Sequence, residues 1–200
     1  MQIIIATNNK GKRREIKDLF SSLNISVQSL EDFPKIPDPP ETKNTFDGNA
    51  LQKAHFVFSN LKSSDSSYIV IADDSGLCVD RLNGAPGVFS KRWTKEATTD
   101  ANNQRLLEEL SQEKQRRAHF HCSMAIVTKD KEWIVQGQCH GQIARQKMGQ
   151  YGFGYDPLFI PDQFPQKTMA MLTAKEKNAI SHRGIALKKV FAIIQDLLIK

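Results

Sequence analysis

The sequence is short of the features that would sort it into a special class. Its 200 residues hold three cysteines, Cys78, Cys122 and Cys139, with no C-x-x-C pair among them. That odd number argues against a disulfide framework and fits a reducing compartment. No apolar run approaches the roughly 20 residues that cross a bilayer, so no membrane-spanning segment is expected. The start, Met1-Gln2-Ile3-Ile4-Ile5-Ala6, is too short for the core of a signal peptide and no basic stretch precedes it; a cytoplasmic protein is expected. Internal repeats, low-complexity tracts and obvious linkers are absent too. Lys and Arg outnumber Asp and Glu by 28 to 22, a formal charge of +6, yet no long basic tract gathers the excess. Lys10 to Lys17 and Lys114 to Arg117 are only short basic stretches. The charge points to an anionic partner without choosing among nucleic acid, a membrane surface and nucleotide phosphates, and a solvated basic face is the plain alternative.

What is present is ordinary globular material: 40% apolar and 25% charged residues, consistent with a soluble fold. The length suits one domain, residues 1–200, or two lobes around a continuous core. Residues 2–6 read as a buried strand, followed by the polar turn Thr7-Asn8-Asn9-Lys10-Gly11-Lys12 and a helix with Ile16, Leu19, Phe20 and Leu23 on one face. A strand near 25–29 leads to a proline-rich loop, Pro34 to Pro40. Thr45 can cap a helix whose Phe46, Ala50, Ala54, Val57 and Leu61 trace a stripe. Tyr68 to Ala72 reads as a buried strand that stops at Asp73-Asp74-Ser75-Gly76. A helix over Ala101 to Leu110 turns Leu106, Leu107 and Leu110 inward. Strands near 118–128 and 132–144 flank the turn Lys129-Asp130-Lys131 as a hairpin. A last helix from about Ser181 buries Leu187, Val190, Phe191, Ile194 and Leu198. Strand–helix alternation followed by a hairpin predicts an α/β fold with a mixed β-sheet, flanking helices and two lobes around a central substrate cleft.

Four places can carry chemistry. In Ile69-Val70-Ile71-Ala72-Asp73-Asp74-Ser75-Gly76 a strand delivers adjacent carboxylates to its expected C-terminal end. Hard oxygen ligands there suit magnesium, which keeps waters and bridges to substrate phosphates, and Gly76 would allow a sharp turn beside the ligand. The same residues can also simply begin a turn. The Thr7 to Lys12 turn opens a helix, so its backbone N–H groups and the helix dipole can hold an anion, with Lys10 and Lys12 adding charge. It lacks the P-loop spacing G-x-x-x-x-G-K-[ST], and a polar helix cap is the alternative. Gly152-Phe153-Gly154-Tyr155-Asp156-Pro157 can lay a ring against a planar ligand such as a purine, or mark a core aromatic beside a glycine turn. Ser181-His182-Arg183-Gly184, shortly after Lys175 and Lys177, can offer donors to a keto oxygen or form a solvated basic cap. His119, His121 and Cys122 invite a zinc reading, but strand alternation sends Cys122 to the face opposite the two histidines, and no second ligand cluster exists.

Taken in order, Thr7-x-Asn9-x-x-Lys12, Glu41-Thr42, Asn49-Ala50-x-x-Lys53-Ala54, Asp73-Asp74-Ser75-Gly76-Leu77, Asn83-Gly84-Ala85-Pro86-Gly87-Val88, Phe120-His121-Cys122, Phe153-Gly154-Tyr155-Asp156-Pro157 and Ser181-His182-Arg183-Gly184 resemble the inosine triphosphate pyrophosphatase family, also called XTP/dITP diphosphatases. No single element decides the match, but the ordered set runs from first strand to last helix. The resemblance implies a magnesium-dependent, homodimeric enzyme that converts ITP, dITP and XTP to monophosphate and pyrophosphate. It implies Asp74 as general base, Glu41 and Asp74 as metal ligands, and Thr7, Asn8, Asn9, Lys10, Gly11, Lys12, Lys53 and Ser75 around the triphosphate. Phe153, with Gly154 and Tyr155, would hold the base, and Asp156, Lys177, His182 and Arg183 would line its edge. Asn8 and Lys10, and the stretch Phe89-Ser90-Lys91-Arg92-Trp93, depart from the usual pattern; these bear on substrate preference rather than reaction type.

Two other readings compete. A nucleic-acid-binding module predicts basic residues interleaved with aromatics along one element; that pattern is missing, and Glu41, Asp73 and Asp74 would repel a phosphate backbone. A phosphatase or pyrophosphatase for other nucleotides is the nearer alternative.

Overall fold

The computed structural model describes residues 2–20, 25–61 and 68–199; the side chains of Lys10, Asp18 and Leu19 lie outside that description, as does the expected core residue Leu23. The strands are β1 (Gln2–Ile5), β2 (Ser26–Ser29), β3 (Tyr68–Val79), β4 (Arg117–Val127), β5 (Glu132–Ile143) and β6 (Phe159–Pro161). The α-helices are α1 (Lys10–Phe20), α2 (Phe46–Asn60), α3 (Thr99–Glu109), α4 (Ala174–Ile180) and α5 (His182–Leu198). One mixed sheet runs in the order β2-β1-β3-β4-β5-β6. Ile3 pairs in parallel with Val27 of β2 and Ile69 of β3, while β6 pairs antiparallel with β5. Parallel strands joined through helices, then a hairpin, is the α/β architecture the alternation predicts. No described helix is long and apolar enough to cross a membrane.

The chain divides into two compact units. The first comprises Met1–Asp74, Ser123–Gln136 and Ala186–Lys200; the second comprises Ser75–Cys122 and Gly137–Ile185. In the first, Ile4, Ala6, Val70 and Ala72 of the strands meet Ala50, Ala54 and Val57 of α2 in a buried cluster. Thr45 caps α2 as expected, its hydroxyl accepting from Gly48 N at 3.1 Å. In the second, Leu77, Val79, Leu106, Leu110, Phe120, Ile143, Leu158 and Phe159 form the core.

Three sequence expectations change. β3 does not stop at Asp73; it continues to Val79, because both carboxylates are buried and compensated by side chains rather than exposed at a strand end. Gly76 consequently stays in the strand and makes no turn. The reversal comes later, at Asn83 and Gly84, whose φ values are +53° and +84°; left-handed backbone there suits Asn and Gly. Leu198 is 40% exposed instead of buried, being the last residue of α5 with only Ile199, 84% exposed, described after it. Leu187, Val190 and Ile194 of the same helix are buried, and Phe191 stacks on Phe20 with centroids 6.0 Å apart. Along β4, Cys122 is buried while His119 and His121 are half-buried. Among the described residues no group of three or more His, Cys, Asp or Glu side chains is arranged to hold a metal.

Candidate active site

The first unit carries the acidic cluster. Adjacent residues of a strand project to opposite faces, and the Asp73-Asp74 doublet follows that rule. Asp74 shares the face of Val70 and Ala72, toward α2; Asp73 meets α1, where Lys12 Nζ lies 2.7 Å from its Oδ2. Asp74 accepts a hydrogen bond from Asn49 Nδ2 at 2.9 Å, and Lys53 Nζ lies 3.7 Å from its Oδ1. The same ammonium donates to Glu41 Oε1 at 2.7 Å. Lys53 is 6% exposed, so its charge sits beside Glu41 and Asp74 with little water to screen it.

Asn49 and Lys53 are one helical turn apart, which is why both reach the same carboxylate. Asn49 also accepts from Lys43 N at 2.8 Å through Oδ1, and Gln52 exchanges two hydrogen bonds with Thr42, at 3.0 and 2.8 Å. These contacts fasten the loop carrying Glu41 to α2. The sequence marks Asn49 within a motif but gives it no task, and it leaves Gln52 unmarked; the signal was their i, i+3, i+4 spacing with Lys53.

Burial pushes the Asp74 carboxyl above its ordinary value, against the pull of Lys53, the Asn49 hydrogen bond and Lys12. Burial alone would lower Lys53, but Asp73, Asp74 and Glu41 outweigh it and raise the ammonium overall. Lys53 is therefore charged throughout the neutral range.

The polar turn before α1 is self-braced. Asn9 Oδ1 accepts from Lys12 N at 3.1 Å, capping α1, and Thr7 Oγ1 accepts from Asn9 N at 3.3 Å. Asn8 donates from Nδ2 to Asp38 Oδ1. The first turn of α1 contains no acidic residue, so the positive end of its dipole is not offset there. Gly11 lies in that turn. The cap reading and the anion reading are compatible, since Asn9 Oδ1 takes a single helix-start N–H, that of Lys12.

The second unit carries the aromatic cluster. Gly152 and Gly154 take φ of +81° and +62° on either side of Phe153, whose ring is 43% exposed. A Cβ on Gly152 would meet Asp156 Oδ2 at 2.1 Å, so that position excludes larger residues. Asp156, buried, accepts from Phe153 N at 2.8 Å and from Lys177 Nζ at 2.7 Å, both at Oδ2. Lys177 Nζ lies 4.8 Å from the Phe153 centroid, and Arg183 Cζ 5.7 Å, so two cations address one ring. Arg183 is buried and donates from Nη2 to Ser75 Oγ at 3.1 Å. His182 is buried and stacks on Phe120, centroids 4.8 Å apart and planes 14° apart. Ser181 caps α5 through Oγ, which accepts from Gly184 N at 3.0 Å. Tyr155 is buried with its hydroxyl donating to Ser90 O at 3.0 Å, and burial raises its phenol far above the usual value.

Thus Glu41, Lys12, Lys53 and Asp74 gather in the first unit, with Asp73 as an added member, and Ser75, Phe153, Asp156, Lys177 and Arg183 gather in the second. Together these features define an α/β protein with a carboxylate–lysine cluster in one unit and, in the other, a half-exposed aromatic ring flanked by two cations. The chain belongs to the Ham1 family, whose model matches residues 3–193. It is 46% identical over 195 residues to a dITP/XTP pyrophosphatase of Bacillus anthracis, covering 94% of each chain. It is 48% identical over 193 residues to a dITP/XTP pyrophosphatase of Listeria innocua, covering 94% of this chain and 92% of that one. Among solved structures it resembles a HAM1 protein from Coxiella burnetii with a TM-score of 0.86 and 38% identity, over 98% of this chain and 99% of that one.

Proposed function

We propose that this protein hydrolyses non-standard purine nucleoside triphosphates, ITP, dITP and XTP, to the monophosphate and pyrophosphate, cleansing the nucleotide pool. The reading is supported by relatives named dITP/XTP pyrophosphatase along nearly the whole chain. The observation that carries its chemistry is the buried Asp74, held by Asn49 and Lys53 and raised in pKa by burial. Burial that disfavours the ionised form makes a carboxylate a stronger proton acceptor than an exposed one. Asp74 takes a proton from water as the water oxygen bonds to the α-phosphorus; the bond from that phosphorus to the bridging oxygen breaks and pyrophosphate leaves. Lys12 and Lys53 offset the charge of the phosphates, helped by Lys10 and by Thr7, Asn8, Asn9 and Gly11 of the turn and Ser75 after the doublet. Phe153 stacks on the base, braced by Gly154 and Tyr155, while Asp156, Lys177, His182 and Arg183 set the donors at its edge.

Magnesium fits this donor set. Glu41 and Asp74 both lie against the Lys53 ammonium, at 2.7 and 3.7 Å, an arrangement that supports their sharing one cation. Three carboxylates, Glu41, Asp73 and Asp74, lie beside the ammonium groups of Lys12 and Lys53. Glu41 and Asp74 would hold the ion, and phosphate oxygens and water would supply its remaining ligands. When bound, Mg²⁺ supplies charge neutralisation of the phosphates. The protein works as a cytoplasmic homodimer that binds neither nucleic acid nor membrane; light scattering at micromolar concentration returning the mass of a single chain would contradict the dimer.

The cut itself is tested by hydrolysing ITP in oxygen-18 water across a panel of bases. Label in the monophosphate, with pyrophosphate as the other product, is expected. Label in orthophosphate would instead support a phosphatase, and an equal rate on pyrimidine triphosphates would support the broader nucleotide pyrophosphatase.

A further inference from the structure

The loop that carries Phe153 has a fastening that no motif in the sequence announces. Asn103, on α3, is 1% exposed, and its Nδ2 donates to Gly154 O at 3.1 Å. Its neighbour Asn102, also buried, donates to the carbonyls of Ser90 and Lys91 at 3.3 and 3.2 Å. Asn102 Oδ1 accepts from Thr94 N and Thr94 Oγ1, each at 2.9 Å. The Ser90 carbonyl also receives the Tyr155 hydroxyl. Two consecutive asparagines on one helix therefore hold two loops, and Tyr155 ties those loops together.

An amide at Asn103 needs a reason. α3 already supplies Leu106 to the core and Leu107 against it, and a buried amide is unfavourable unless bonded. Asn103 Oδ1 is buried with no hydrogen-bond partner among the described residues, so the side chain is not there for its own satisfaction. Among the described residues its bond goes to a segment bracketed by two positive-φ glycines. Gly152 and Gly154 both take positive φ, and glycines in that region leave the segment between them loosely specified. Asp156 holds Phe153 from within the loop through its backbone N–H. Asn103 holds the following carbonyl from a helix about fifty residues away in sequence, which is an external reference that local contacts cannot supply.

We propose that Asn103 is a positioning residue for the base-stacking platform: its bond to Gly154 O fixes the Phe153 ring against Lys177 and Arg183, and so sets affinity for the base half of the substrate. This rests on the pyrophosphatase reading above. Asn103 is too buried to touch substrate, so its effect travels through Phe153.

The test uses Asn103→Ala and Asn103→Ser in the full chain, with the wild type shown first to hydrolyse ITP. Two inhibitors separate the halves of the substrate: inosine monophosphate, which carries the base, and inorganic pyrophosphate, which does not. KM for ITP and the inhibition constant for inosine monophosphate should both rise about 3- to 10-fold, the worth of one neutral hydrogen bond. kcat and the pyrophosphate constant should stay within about twofold. A merely structural role would weaken both inhibitors in proportion or lower kcat, and that outcome overturns the proposal, as does unchanged inosine monophosphate binding. Should Asn103→Ala fail to fold, Asn103→Ser keeps a hydroxyl in the space and carries the same readout. A wild type inactive on ITP would instead sink the functional reading.

Discussion

The two units handle charge in opposite ways. In the first, Lys53, Asp73 and Asp74 are buried together with Glu41 and Lys12 half-buried beside them, and burial raises the Asp74 carboxyl above its ordinary value. In the second, Lys177 and Arg183 gather on a partly exposed ring with Asp156 as the local counter-ion. On the proposed reading Asp74 accepts the proton of the attacking water, and desolvation disfavours its ionised form. Recognition of a base needs a rigid plane with donors at fixed positions, and hydrogen bonds to backbone supply that rigidity. The same residue types, carboxylate and ammonium, serve tension in one unit and bracing in the other.

The largest expected effect tests the tension. Asp74→Asn keeps the shape and the Asn49 contact but removes the base, and kcat should fall roughly 10²- to 10⁴-fold. The corresponding change in the bracing cluster, Asp156→Asn, should act mainly on KM. Near-normal turnover of Asp74→Asn at saturating magnesium would end the assignment of Asp74. Next in size is Glu41→Gln. The magnesium concentration for half-maximal rate should rise about tenfold or more, with the rate at saturation far less changed; an unaltered magnesium curve would remove Glu41 from the metal site.

Effects on the second unit should be smaller and should sort by base. Phe153→Ala should raise KM for every purine triphosphate by about tenfold, since stacking is worth roughly 1–3 kcal/mol per base and is tolerant of base identity. Arg183→Ala should instead lower the ratio of kcat/KM for ITP over ATP. Hypoxanthine offers a keto oxygen where adenine has an amino group, and a donor facing that amino group leaves both unpaired. Measuring ITP, GTP and ATP on both variants separates platform from reader. An ITP/ATP ratio untouched by Arg183→Ala would confine Arg183 to its contacts with Ser75 and the Phe153 ring.

The sequence made the fold legible where periodicity was strong. β1, α2, the β4–β5 hairpin and most of α5 fall where their apolar spacing places them, and Thr45 caps the helix it precedes. It misled at Asp73-Asp74-Ser75-Gly76 because consecutive polar residues with a glycine look like a turn. Lys12 from α1 and Asn49 and Lys53 from α2 make a buried doublet tolerable in mid-strand. The site was legible as an ordered set of motifs, but the tasks of Asn49, Gln52 and Asn103 were not. Each is an amide whose partner lies outside its own motif, Asp74 for Asn49, Thr42 for Gln52 and the Gly154 carbonyl for Asn103; helical spacing marks the first two only as sharing a face with Lys53.

The smallest expected effect lies in stability and follows from the same tension. Burial raises the Asp74 carboxyl from its ordinary 3.8 in the folded protein, so between that value and the folded one the native state binds more protons than the unfolded chain. Stability therefore falls as pH rises through this window and stays lower above it. The favourable contribution is fully present only below the ordinary carboxylate range and is lost by the time Asp74 ionises. Asp74→Asn removes the penalty, while Lys53 keeps Glu41 at 2.7 Å. Without magnesium at neutral pH the variant should consequently be more stable than wild type and melt at a higher temperature. The gain should shrink as pH is lowered toward the ordinary carboxylate value. Added magnesium should narrow it as well, because the ion stabilises the wild-type carboxylate and has one ligand fewer in the variant. Thermal melts of both proteins from acid to neutral pH, with and without the metal, check each sign. A variant less stable than wild type at neutral pH in the absence of metal would mean that Lys53 and Asn49 more than offset the burial of Asp74, and the tension assigned to the first unit would not exist.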